Sequence, residues 1–178
     1  VRPETGAPPP LPSGAGFRVA IIASRFNEQI TSALLDSARA TLVEAGTASG
    51  DIEEFAVPGA FEIPQAARCA AETGRYDAVV CVGCVIRGET PHFEYIAASV
   101  AQGLMAAAGE TGVPMAFGVL TTDSEEQARA RAGPDPGNKG REAAAAALEM
   151  AALFRRLGRP PARGSAPPFG FAAGAGDA

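Results

Sequence analysis

The chain has one histidine, His92, and it stands directly after Gly88-Glu89-Thr90-Pro91, close behind an apolar run that ends near Val82. Thr90 suits a helix N-cap, and Pro91 suits the first helical position, where its missing N–H would have had no partner. A helix beginning there offers free backbone N–H groups and the positive end of its dipole. The turn Gly88-Glu89-Thr90 therefore reads as an anion seat beside an acid/base side chain. The bland alternative is a surface histidine in a helix's first turn.

Three further side chains suit the same chemistry. Phe26 lies just past another apolar run and either stacks on a planar ring or belongs to the core. Glu62 opens a helix, where it complements the dipole or accepts hydrogen bonds from a polyol or amine. Arg131 carries a planar fork that matches phosphate, or equally a carboxylate on a solvated helix face. Cys81 and Cys84 form a C-x-x-C at the end of a strand. Positions three apart in a strand face opposite sides of the sheet, so buried packing is expected there, not redox or metal chemistry. No G-x-G-x-x-G, Walker sequence or metal-ligand cluster supports a nucleotide cofactor or a metal.

The elements that must position these groups alternate in type. Strands are predicted over Phe17 to Ala23, Ile52 to Val57, Ala78 to Val82 and Pro114 to Leu120, the first a β-branched run fit for a buried parallel strand. Helical periodicity follows each one. The first helix carries Leu34, Leu35, Ala38 and Leu42 and stops at Gly46; the second carries Pro64 in its first turn and ends before Gly74. Turns are predicted at Gly83 and Gly88, and the helix after them has Phe93, Ile96, Val100 and Leu104 on one stripe. A polar helix reaches Arg131, the loop from Gly133 to Gly137 breaks the chain, and a last helix runs from about Gly140 to Leu157.

Alternating strands and helices imply a three-layer αβα sandwich around a four-stranded parallel sheet. Ligands of such sheets bind beyond the carboxyl ends of the strands, which gathers Phe26, the Ala60-Phe61-Glu62 turn and the Gly83 to His92 turn into one neighbourhood.

Composition bounds the partners. The 178 residues fit one domain over 17–157, with a Pro/Gly-rich flexible arm at 1–16 and a disordered Pro/Gly/Ala-rich tail at 158–178. A net charge of −5 argues against nucleic acid as the main partner. No apolar run approaches the length of a membrane span, and no secretory pattern is seen at the amino end. Three cysteines make no disulfide framework and point to a reducing, cytoplasmic home.

From about Phe17 to Arg156 the chain resembles the lumazine synthases. The likeness rests on Arg25-Phe26-Asn27, VPGAFEIP at Val57 to Pro64, GCVIRGETPHFEY at Gly83 to Tyr95, FGVLTT at Phe117 to Thr122, and RAG with GNKG at Arg131 to Gly140. Their joint occurrence in order is specific. The resemblance implies a flavodoxin-like topology and a cofactor-independent transferase of riboflavin biosynthesis. Such an enzyme condenses 5-amino-6-(D-ribitylamino)uracil with 3,4-dihydroxy-2-butanone 4-phosphate to 6,7-dimethyl-8-ribityllumazine.

By that resemblance Phe26 stacks on the pyrimidine, while Ala60, Phe61 and Glu62 bind the ribityl side. Cys84, Val85 and Ile86 line the ring pocket through backbone groups. Glu89, Thr90 and Arg131 hold the phosphate, His92 shuttles protons, and Phe117 reaches into a neighbouring subunit's site. The implied assembly is a homopentamer, with an icosahedral shell and association with riboflavin synthase left open. Ala130 and Asp135 depart from a common pattern of Glu and Lys, and Asp135 puts an acid where a cation is frequent near the phosphate; whether the two alter phosphate binding is left open. A non-catalytic paralogue that binds flavin or lumazine, or only forms shells, is the rival reading.

Overall fold

The computed structural model describes residues 10–134 and 137–160. Four strands, β1 (Val19–Ser24), β2 (Ile52–Val57), β3 (Ala78–Ile86) and β4 (Met115–Thr122), form one parallel sheet in the order β2-β1-β3-β4. Five helices connect and cover them: α1 (Glu28–Glu44), α2 (Ile63–Glu72), α3 (His92–Thr111), α4 (Glu125–Ala132) and α5 (Lys139–Arg156). This is the three-layer α/β fold expected from the alternation.

The two faces of the sheet carry separate cores. On one, Ile30, Leu34, Ala38 and Leu42 of α1 and Ala144, Ala147, Leu148 and Ala151 of α5 meet Val19, Ile21, Val80 and Val82. On the other, Ile63 and Ala67 of α2 and Val100 and Leu104 of α3 meet Ala20, Ile22, Val79 and Cys81. Alternate residues of each central strand thus serve opposite cores, which is why both strands read as unbroken apolar runs. The same alternation separates Cys81 from Cys84, one in each core and both free. Burial pushes the Cys81 thiol well up, and burial together with the Glu125 charge pushes that of Cys84 up to about 11. Neither is a ready nucleophile.

Two glycines permit close approaches. A Cβ on Gly140 would lie 2.1 Å from the Leu34 carbonyl oxygen, so α5 can cross α1 this tightly only with glycine at that position. Asn138, buried ahead of it, caps α5 by accepting the Gly140 N–H at 2.8 Å, and its amide donates to the Ala132 and Gly133 carbonyls. At Gly83 a Cβ would lie 2.9 Å from Ile63 Cδ1 and 3.1 Å from Ser24 Oγ.

That second glycine corrects the sequence reading. Gly83 is not in a turn; β3 runs on to Ile86, because glycine there makes room for α2 and β1, not for a reversal of the chain. β4 likewise includes Thr121 and Thr122. At α3 the N-cap position falls to Pro91, and the Thr90 side chain makes no capping hydrogen bond. Gly46 and Gly74, at φ +94° and +68°, stand just beyond α1 and α2 as expected.

The chain ahead of Phe17 is joined to the body by the Gly14 N–H donating to the Ala45 carbonyl at 2.7 Å. Most of the arm and tail, and Asp135 in the loop before α5, lie outside the described residues. Among the described residues no helix is long and apolar enough to cross a membrane.

Candidate active site

The sheet pairing itself creates the site. β1 pairs with β3 from Val19↔Ala78 to Ala23↔Val82; there that pairing ends, while β3 continues for four residues alongside β4. The N–H of Val79 donates to Pro114 and that of Arg87 to Thr122, so odd-numbered residues of β3 aim their backbone groups at β4. Even-numbered ones aim the other way. Beyond Val82, the N–H and C=O of Cys84 and Ile86 therefore face an edge that β1 no longer covers. This gap lies at the reversal of strand order, where the connection after β1 runs to one face of the sheet and that after β3 to the other.

A cavity of about 370 Å³ fills the gap. Its floor is Cys84, Val85 and Ile86 of β3; its walls are Phe26 and Asn27 after β1, Gly59 to Glu62 after β2, and Gly88, Thr90, His92, Phe93 and Ile96 after β3. Asn27 has a left-handed backbone (φ 60°), and its amide donates to the Cys84 carbonyl at 3.0 Å. That bond anchors the connection after β1 to the cavity floor and sets Phe26 at the rim. The Glu62 carboxylate accepts the Gly59 N–H at 2.9 Å through Oε2, holding the turn between β2 and α2 in shape. The Phe26 and Phe61 side chains are 69% and 58% exposed, which places neither ring in the core. His92, in the first turn of α3, is exposed, and its imidazole makes no hydrogen bond to a described residue.

Two of the expected site residues stand elsewhere. Phe117 and Arg131 line a separate cavity of about 390 Å³ between β4, the end of α4 and the start of α5, together with Lys139 and Glu142. The Phe117 ring is 46% exposed although it lies in a strand. The Arg131 guanidinium donates to the Gln127 carbonyl of its own helix at 2.9 Å and has no carboxylate partner among the described residues. Lys139 pairs with Glu142 at 2.9 Å. Glu89 does not line the first cavity, though Gly88 and Thr90 on either side of it do. The first cavity thus holds the imidazole and the rings of Phe26, Phe61 and Phe93, and the second holds the Arg131 guanidinium and the Phe117 ring.

The family model described as 6,7-dimethyl-8-ribityllumazine synthase matches residues 16–155. The chain belongs to this family. It is 51% identical over 150 residues to the 6,7-dimethyl-8-ribityllumazine synthase of Anaeromyxobacter dehalogenans (strain 2CP-C), covering 84% of this chain and 93% of that protein. The protein of the same name from Anaeromyxobacter sp. (strain K) is 50% identical over the same shares. The matched span takes in both cavities of this lumazine synthase family member and every strand and helix except the last residue of α5.

Sequence reasoning assigned no role to Asn27, Phe93, Ile96 or Lys139. Phe93 and Ile96 share an apolar stripe of α3 with Val100 and Leu104; the latter two are buried, while Ile96 packs half-buried against the core and, with Phe93, also lines the first cavity. A stripe that starts at the helix end just past a strand's carboxyl end has its first members facing the opening there, and that signal was available. For Asn27 the signal was its place at the start of a helix, where Asn tolerates a left-handed backbone.

Proposed function

We propose that this protein catalyses the condensation of 5-amino-6-(D-ribitylamino)uracil with 3,4-dihydroxy-2-butanone 4-phosphate to 6,7-dimethyl-8-ribityllumazine, releasing phosphate and water. The observation that carries the reading is the family match over both cavities, with the one histidine opening onto the first.

In this mechanism the pyrimidine lies against the open edge of β3, where the Ile86 backbone supplies a donor and an acceptor whatever its side chain. Phe26 stacks on the ring, and the turn from Gly59 to Glu62 receives the ribityl chain. Glu62 keeps one carboxylate oxygen for Gly59 and turns the other to a hydroxyl or the amine. The phosphate sits on the N–H groups of the turn from Gly88 to Thr90, at the positive end of a 20-residue helix. That orients the ketone toward the ring amine. His92 carries protons between amine, carbinol and leaving phosphate during imine formation and elimination. Two substrates held in register gain most of their rate from orientation.

Phe117 and Arg131 complete the site from an adjacent subunit. Their separation from the first cavity supports this, because one subunit's unspent guanidinium then meets the phosphate seat of the next. A head-to-tail contact of this kind makes a ring where its rotation closes, and a pentamer is the ring we propose. Tyr95 and Met105 of α3, 71% and 75% exposed, offer apolar surface for it. The free thiols agree with a cytoplasmic setting.

The test is to mix purified protein with both substrates and follow the fluorescent lumazine, with the mass of the particle measured on the same sample. Product formation by a multimer supports the reading. Binding of lumazine without turnover overturns it.

A further inference from the structure

We infer that Arg87 is a positioning residue: its side chain clasps the turn from Gly88 to Pro91 shut and so holds the proposed phosphate seat in its binding shape. The inference rests on the assignment of that turn to the phosphate.

The turn has little else to hold it. Gly88, Glu89 and Thr90 are exposed and make no hydrogen bond to any described residue. Arg87, at the end of β3, is the point at which the turn is fixed. Its N–H donates to the Thr122 carbonyl at 2.8 Å, continuing the ladder with β4. Its guanidinium then crosses the turn. Nη1 donates to Glu94 Oε1 at 3.0 Å in the first turn of α3, and Nε donates to Asp123 Oδ1 at 2.8 Å beyond β4. The plane lies over the Phe93 ring, 4.5 Å from its centre. One side chain therefore ties the strand before the turn, the helix after it and the neighbouring strand's end.

Arg87 stands next to the seat in sequence, and a direct bond to the phosphate is the obvious competing role. Its surroundings argue against that. Two carboxylates already occupy the fork, leaving the trio with a net charge of about −1, which repels an anion. Arg131 differs in having no carboxylate partner among the described residues.

The two roles predict opposite signs. If Arg87 binds phosphate itself, Glu94→Gln with Asp123→Asn frees a cation and strengthens binding. If it is a clasp, the same pair of changes releases the turn and weakens binding once about 0.5 M salt screens the two lost charges. Inorganic phosphate is the probe, titrated by calorimetry in that salt against the assembled full-length protein. The clasp predicts affinity about five- to tenfold lower for the Glu94→Gln/Asp123→Asn variant. Arg87→Ala should lose a similar factor and add little in the double-variant background. Arg87→Lys, which keeps the charge but cannot span both carboxylates, should resemble Arg87→Ala. With phosphate present, amide exchange at Gly88, Glu89 and Thr90 should be faster in all three than in the parent, and the KM for the pyrimidine substrate should stay unchanged.

Unchanged or tighter phosphate binding by the carboxylate variant overturns the clasp. If the unaltered protein binds phosphate without protecting the amides of Gly88 to Thr90, the seat itself is misassigned and the clasp goes with it. A variant that melts early is judged by amide exchange below its transition, where slowed or unchanged exchange in the turn also counts against the clasp.

Discussion

Replacing Arg131 by alanine should separate substrate binding from folding. The guanidinium donates one hydrogen bond, to the Gln127 carbonyl one turn back in α4, and it is exposed. No carboxylate among the described residues loses a partner when it goes, so the change falls among surface substitutions, within about 0.5 kcal/mol. For a domain of this size that moves Tm by about 2 °C at most. The loss on the ligand side is larger. A hydrogen bond to a charged group is worth about 1.5–3 kcal/mol, so the KM for 3,4-dihydroxy-2-butanone 4-phosphate should rise about 10- to 150-fold. Arg131→Lys keeps the charge but not the fork and should fall between. The assay is lumazine formation with one substrate varied at saturating levels of the other, beside a thermal melt of each variant. The KM for the pyrimidine should not move. An unchanged KM for the phosphate substrate, or a fall in Tm that tracks the lost activity, refutes the reasoning.

Three other perturbations probe the remaining parts of the account. His92→Ala should lower kcat by about 10²- to 10⁴-fold, the usual effect of losing a proton-transfer group, and a rate within twofold of the parent removes His92 from the mechanism. Phe26→Ala should leave Tm unchanged, since the ring is exposed, and raise the KM for the pyrimidine by the loss of stacking, about 1–3 kcal/mol; unaltered pyrimidine binding places the ring off the substrate. The pH dependence concerns Cys84. With its thiol pushed from an ordinary value of 9.0 up to about 11, the folded state holds this proton longer than the unfolded chain does. The resulting stability is complete below about pH 9 and is lost as pH rises through about 11. Cys84→Ala should flatten the decline of Tm over that window, and an identical slope shows that the thiol titrates normally.

The strand and helix pattern was legible because the central strands are apolar throughout and each helix ends on a glycine. β2 was bounded correctly at Ile52 and Val57 by polar and proline flanks. β3 was cut short because Gly83 is a turn residue by type, and the reason for it, the nearness of Ile63 and Ser24, is a tertiary contact. The same limit applies to the site. Phe26, Phe61, Glu62 and His92 share a cavity because strand ends gather them, a rule that works from sequence. The place of Phe117 and Arg131 on another surface depends on how far β4 and α4 lie from the opening between β1 and β3, which no local spacing encodes. The contacts of Arg87 and Asn27 also join residues far apart in the chain, 36 positions from Arg87 to Asp123 and 57 from Asn27 to Cys84.

The claim that each site is built by two chains is tested most directly by subunit mixing. His92→Ala and Arg131→Ala proteins are unfolded together in equal amounts, refolded, and assayed with the butanone phosphate held well below its KM. If histidine and arginine come from adjacent members of a ring, random assembly restores both to about one quarter of the sites, and activity rises to about that fraction of the parent's. If one chain supplies both groups, no mixed site is whole, and activity stays at the mean of the two variants.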